Sequence, residues 1–219
     1  MTVERIVAVA RELLVAGGIE AVTVRQVARG LTVTAPALYK HVQGRAEIVD
    51  QLTATCLDEL TAAIVTARDA VPADDFRGRL SAVGLALRDW ARAHPAEFAL
   101  AFATPATAFD RVATGAGQAA GVRLGQAFLE IVVPAAMAGR LRAVPDGQVP
   151  PEVAVQLRAW GQARGMPLSD GQLWAAVQGF HDILGLVAVE AFGQLGFALR
   201  DTSAYMADRL ASLADDLLD

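Results

Sequence analysis

Apolar residues in this chain recur at steps of three and four, and no stretch alternates strictly between apolar and polar. Residues 3–16 place Ile6, Ala10, Leu13 and Leu14 on one helical face. Gly17-Gly18 ends that helix, since glycine readily takes the left-handed conformation found at helix C-termini. Thr23 with Gln26 three residues on reads as a capping box and predicts a helix over about Val24–Gly30. Its inner side is Val24, Val27, Ala28 and Leu31. Thr34 starts a third helix, with Pro36 early, where its missing N–H is harmless, and Leu38 as apolar anchor. This predicted helix, Ala35–His41, is about two turns long. Two short helices joined by a few residues and braced by a longer one make a helix-turn-helix.

From Arg45 a long helix carries Ile48, Leu52, Cys56, Leu60 and Ile64 at steps of four, until Val71-Pro72-Ala73-Asp74-Asp75 breaks it. Phe76–His94 follows, with Leu80, Val83, Leu87 and Trp90 inward, and Pro95 starts a short helix bearing Phe98 and Phe102. Residues 103–121 are rich in Ala, Gly and Thr and give little pattern. A helix then carries Leu124, Phe128, Ile131 and Val132 toward Met137. Residues 140–151 read as a loop, and Val153–Ala163 as a short helix. Ser169 with Gln172 opens a long helix to about Leu195, and Thr202–Leu217 is the last, with Met206, Leu210, Leu213 and Leu217 on one side. The expected fold is all-α with nine or ten helices: a helix-turn-helix domain over 1–47 and a helical body over 48–219.

Charge sharpens this division. The formal net charge is −5, which argues against a chain that coats nucleic acid along its whole surface. Residues 1–45 nevertheless hold Arg5, Arg11, Arg25, Arg29, Lys40 and Arg45 against Glu4, Glu12 and Glu20, a balance of +3; the other 13 basic and 21 acidic residues leave −8. A small basic end on an acidic body suits local contact with a polyanion.

Mean hydropathy is +0.37, yet no uncharged run exceeds the 12 residues Phe98–Phe109, interrupted by Pro105. A membrane-spanning helix needs ~20 apolar residues, so none is expected. Glu4 and Arg5 precede any apolar run, unlike a signal peptide, and a cytoplasmic protein is the expectation. The single cysteine, Cys56, excludes an internal disulfide framework and reads as a core residue. His41, His94 and His181 lack metal-ligand spacing, and no phosphate loop or nucleophile motif is present, so neither cofactor nor catalysis is expected.

A helix-turn-helix lays its second helix in the DNA major groove, where base edges are distinguishable. Ala35, Ala37, Lys40 and His41 lie on the side away from Leu38, and small residues at the helix start permit close approach. Tyr39 and Lys40 suit phosphate contacts, which fix register. Thr23 and Arg25 stand at the preceding helix N-terminus, where N–H groups and the dipole favour a phosphate. The competing reading is a helical interaction module with a degenerate motif and no operator.

The string Val22-Thr23-Val24-Arg25-Gln26-Val27-Ala28, continued by Leu31-Thr32-Val33-Thr34-Ala35-Pro36-Ala37-Leu38-Tyr39-Lys40-His41-Val42 and then Arg45 and Ile48-Val49, resembles the DNA-binding domain of TetR-type (tetracycline-repressor-like) regulators. The Leu-Tyr-x-His core is its most diagnostic part. The resemblance implies that Thr23, Arg25, Thr34, Ala35, Pro36, Ala37, Tyr39, Lys40 and His41 face double-stranded operator DNA. Three departures are visible: Thr32 where glycine is frequent, Val42 for phenylalanine and Arg45 for lysine. Threonine disfavours positive φ, which predicts a variant turn; Arg45 keeps a phosphate-capable charge.

The resemblance also implies a C-terminal ligand pocket and dimer interface, and a regulator, more often a repressor, released by a small, largely apolar effector. Trp90-Ala91-Arg92-Ala93-His94-Pro95 and the Trp174, Phe180-His181 region resemble one subgroup, named for a Trp-His-Gly pattern; Asp182 stands in place of its glycine. Trp174 and His181, seven residues apart, share a helix face. With Trp90, Phe102, Phe128 and Met137 they are the candidate cavity lining, against the plainer reading that they pack the core. Leu173, Val177, Phe180, Leu184 and Val187, with Leu210 and Leu213 of the last helix, are the candidate four-helix homodimer interface, and Gly179, Gly185 and Gly193 would admit a close partner helix.

Overall fold

The computed structural model describes residues 2–103 and 115–218, so part of the weakly patterned 103–121 stretch lies outside the described residues. Ten α-helices are described: α1 Val3–Gly17, α2 Val24–Gly30, α3 Ala35–Leu38, α4 Arg45–Asp69, α5 Phe76–Ala93, α6 Pro95–Phe98, α7 Ala116–Met137, α8 Pro151–Ala163, α9 Asp170–Ala191 and α10 Ser203–Leu217. Among the described residues there is no strand, only an isolated antiparallel bridge between Leu141 and Leu218. The chain divides into two compact units, Met1–Ala62 with Trp90–Leu124, and Ala63–Asp89 with Gly125–Asp219.

The first unit is larger than the 1–47 domain that the sequence suggests, and its polar contacts explain why. Arg11 of α1 donates to Glu97 of α6 at 2.9 Å and to Glu59 of α4 at 2.7 Å. Burial opposes the Arg11 charge, but these two carboxylates outweigh it and hold the guanidinium protonated more firmly than usual. Asp50 of α4 accepts from the N–H groups of Ala116 and Gly117 at 2.8 and 3.1 Å, capping the start of α7. Arg123 of α7 makes a two-pronged pair with Asp58 at 2.8–2.9 Å. Beneath these, Ile6, Ala10, Leu14, Val27, Leu38, Leu52 and Phe98 are at most 2 % exposed. Each such large side chain contributes about 1.5–3 kcal/mol on burial.

In the second unit α9 begins with a complete capping box, in which the Ser169 hydroxyl accepts from the Gln172 N–H and the Gln172 amide accepts from the Ser169 N–H. Asp146 accepts a further N–H, from Gly171, at 2.8 Å, and this bond holds its carboxyl below the usual carboxylate range. Gly171 is required there, since a Cβ would strike the Val144 carbonyl. The helix stops at Ala191, not near Leu195. Gly193 takes φ 69°, and the N–H groups of Gly193 and Gln194 donate to the Glu190 and Val189 carbonyls, a closure that glycine makes without strain. Arg88 of α5 pairs with both oxygens of Glu190 at 2.6 and 2.7 Å, and the Thr202 hydroxyl donates to the same carboxylate.

By length and composition α7 could cross a bilayer, with a best 18-residue window of mean hydropathy 1.3. Its Arg123 and Glu130 are both ion-paired, to Asp58 and Arg68, and Leu124, Phe128 and Ile131 are buried in protein.

Candidate nucleic-acid interface

The Thr23 hydroxyl accepts the Gln26 N–H at 3.2 Å and fixes the start of α2. At its other end the N–H of Val33 donates to the Ala28 carbonyl at 2.9 Å and that of Thr32 to Arg29 at 3.0 Å. These two bonds make a Schellman closure whose left-handed position is Thr32, at φ 57°. The expectation of a variant turn is therefore corrected. The hydrogen-bond pattern imposes the left-handed conformation, and threonine adopts it with strain. Thr32 is the only non-glycine residue with positive φ among the described residues.

The third helix, α3, differs from expectation in two ways. Its α-helical part is Ala35–Leu38, and Tyr39–His41 continue as a turn closed by the His41 and Val42 N–H groups on the Leu38 carbonyl. Thr34 precedes it in extended backbone without a side-chain cap; its carbonyl accepts from Ala37 and Leu38. Leu38 is 0 % and Val42 2 % exposed, so the helix is anchored from beneath by two apolar residues. Thr34, Pro36, Tyr39, Lys40 and His41 face solvent, and Thr23, Ala35 and Ala37 are half-buried.

Arg45, expected at phosphate, makes two contacts within the protein that the sequence did not suggest. Its Nε donates to the Val22 carbonyl at 2.7 Å and its Nη2 to Ile19 at 2.8 Å, fastening the α1–α2 connector to the start of α4. The carbonyls of a short connector need donors, and the guanidinium fork supplies two.

An open groove of about 670 Å³ separates α2 from the start of α3, lined by Thr23, Arg25, Gln26, Arg29, Val33 and Ala35. Gln26, expected only as a capping residue, and Arg29, expected only as part of the basic end, line it as well. The available signal was the four-residue spacing of Arg25 and Arg29, which puts both on one side of α2. Arg5, Arg25, Arg29 and Lys40 are exposed and make no side-chain hydrogen bond or ion pair among the described residues; in the remaining chain Arg68, Arg77, Arg79, Arg88, Arg123 and Arg158 are ion-paired, while Arg92, Arg200 and Arg209 are not among the ion-paired residues. The unneutralised cations of the first 45 residues thus surround the groove and α3, apart from Arg5.

The six candidate ligand residues are divided between the two units. Trp90 packs against His94 with tilted rings, centroids 5.0 Å apart, and Phe102 packs on Phe98 at 4.8 Å, both in the first unit. In the second, Phe128 is buried against Phe180 at 5.7 Å. Met137, at the end of α7, is 65 % exposed. His181 is exposed on the outer side of α9, where Nδ1 donates to the Val177 carbonyl at 3.0 Å. These last two therefore face solvent, because the helix sides that carry them do not turn inward. Trp174 does line a cleft, of about 350 Å³, with Arg142, Asp182, Ile183, Leu213 and Leu217.

The candidate dimer face also divides. Leu173, Val187 and Leu210 are 1–2 % exposed and belong to the protomer's own core, Leu173 beside Val149 and Leu157, and Leu210 against Gly84. Gly179 is likewise covered, by Leu217 of α10. Val177, Phe180, Leu184 and Leu213 are half-buried, and Gly185 has open space before it.

Two family models match this chain: that of bacterial regulatory proteins of the tetR family over residues 6–52, and the tetracyclin repressor-like C-terminal domain over 80–213. The HTH-type transcriptional regulator Rv1816 of Mycobacterium tuberculosis is 26% identical over 196 residues, covering 88% of this chain and 81% of that one. Among solved structures, a bacterial regulatory protein in the tetR family from Rhodococcus RHA1 superposes with a TM-score of 0.59 at 17% identity, over 97% of this chain and 95% of that one. A TetR variant from Acinetobacter baumannii, in complex with minocycline, gives 0.54 at 19% identity over 96% and 93%. This chain belongs to the TetR family of DNA-binding transcriptional regulators.

Proposed function

We propose that the protein is a ligand-responsive repressor that binds a palindromic operator as a homodimer and is released by a small molecule. The observation that carries the reading is the set of exposed, unpaired cations beside the small residues of α3. Ala35 and Ala37 let the helix start approach base edges, where a methyl side chain can touch a thymine methyl. Tyr39, Lys40 and His41, at the solvent-facing end of the motif, hold the backbone and set register, and Arg25 and Thr23 meet phosphate at the α2 N-terminus. A two-fold dimer presents two such heads to half-sites ~34–36 Å apart or a multiple of that.

Pairing of the protomers is assigned to the outer side of α9 with α10, through Val177, Leu184, Gly185 and Leu213. The effector is placed in the helical body. The cleft beside Trp174 has Ile183 and Leu217 for a largely apolar molecule. Release follows if the liganded body favours a head spacing unfit for adjacent half-sites. Such a protein acts on DNA in the cytoplasm.

Selection of bound duplexes from a random pool tests the central claim. A palindromic consensus is expected, and recovery of no consensus sinks the operator reading. Tyr39→Ala with Lys40→Ala should weaken binding to all sequences and flatten the salt dependence. Trp174→Ala should retain operator affinity and lose effector release; unfolding of that variant would mean that Trp174 only packs the core.

A further inference from the structure

The groove between α2 and α3 has chemistry beyond the contacts assigned above. Arg25 and Arg29 stand four residues apart on α2, so they are successive side chains on one helix face, about 6 Å apart along its axis. Both are exposed, neither has an ion-pair or hydrogen-bond partner for its guanidinium among the described residues, and both line the same open groove. The opposite wall is Val33 and Ala35, small or apolar residues that bring no competing anion. In a helix-turn-helix the first helix crosses the sugar–phosphate backbone while the second enters the major groove.

We propose that this groove seats one strand of the operator, with Arg25 at the start of α2 holding one phosphate and Arg29, one turn on, holding a second. This rests on the operator-binding reading and extends it. Arg29 becomes a positioning residue for DNA, neutralising one phosphate and reading no base. Its neighbour Gln26 supplies a neutral amide to the same backbone. The alternative role for Arg29 is local. A cation in the last turn of α2 favours the helix dipole and supports the fold only.

The experiment measures binding of the full-length protein to its selected operator and to a random-sequence duplex across a salt titration, for the wild type, Arg29→Gln and Arg29→Lys. Loss of one phosphate contact per protomer, two per homodimer, should make the slope of log K against log salt shallower by about 1.8 and weaken both duplexes roughly sixtyfold in 0.1 M salt. Arg29→Lys, which keeps the charge, should restore the slope. An unchanged slope with a lowered denaturation midpoint would assign Arg29 to the helix terminus and overturn the proposal. A loss confined to the selected operator would overturn it too, by making Arg29 a base reader. A wild type that binds neither duplex defeats the operator reading itself, which separates the two failures.

Discussion

The backbone N–H of Thr32 donates to the Arg29 carbonyl at 3.0 Å while Thr32 itself is held at φ 57°. A left-handed conformation costs an L-residue roughly 1–2 kcal/mol, and a β-branched one more than most. Glycine avoids that strain but loses about 0.5–1 kcal/mol more backbone entropy on folding. Thr32→Gly is therefore expected to stabilise the protein by about 0.5–1 kcal/mol, read as a higher urea midpoint at unchanged slope. A lower midpoint would show that the threonine side chain makes contacts that outweigh its strain.

Arg11 and Glu97 form a pair in which the carboxylate side chain is 4% exposed and the guanidinium 26%. Removing Arg11 leaves a buried carboxylate with little compensation. A fully buried pair broken this way loses about 3–5 kcal/mol, and partial exposure of Arg11 reduces this to roughly 2–3 kcal/mol for Arg11→Met. Glu97→Leu combined with Arg11→Met should recover part of the loss, because no unpaired charge is then left inside. Equal destabilisation by the single and double variants in urea unfolding would argue against this account.

Cys56 is 0 % exposed, and burial pushes its thiol up to about 12. The folded protein should resist a maleimide at pH 8 and react fully once unfolded in urea. In the unfolded chain the thiol ionises near about 8.5, so the stability linked to this group is complete below that pH and is lost as pH rises toward the folded value. Rapid labelling of the native protein at neutral pH would contradict the packing described for α4.

Gly185 faces open space on α9, next in sequence to the half-buried Leu184. If the homodimer forms there, Gly185→Arg inserts a long cation into the contact. A rise in the dimer dissociation constant of tenfold or more is expected by sedimentation, with helical content unchanged. An equally tight dimer would move the interface elsewhere. Leu173→Ala should behave differently, destabilising the protomer by about 2–5 kcal/mol, since that side chain is in its core.

Much of the architecture is legible in the amino-acid order because it depends on local rules. Thr23 with Gln26 and Ser169 with Gln172 mark helix starts wherever they occur, and the four-residue steps from Ile48 to Ile64 mark the buried side of α4. The recognition motif is contiguous in sequence for the same reason. Misreadings arose where one helix has more than one apolar side. Leu173, Val187 and Leu210 share the spacing of an interface, and spacing alone does not say whether the partner helix belongs to the same chain.

By itself, the sequence determined an all-α chain, a basic helix-turn-helix at its start and the residues that present α3, since capping, periodicity and glycine punctuation act over a few residues. Only the tertiary structure decided where the long-range donors go. It turned Arg45 to the Ile19 and Val22 carbonyls, joined Arg11 to Glu97 and left Arg25 and Arg29 unpaired beside a groove. The physical reason is that a guanidinium reaches whichever acceptor the packed helices bring near, and residues 86 positions apart, as Arg11 and Glu97 are, meet only after the chain has folded.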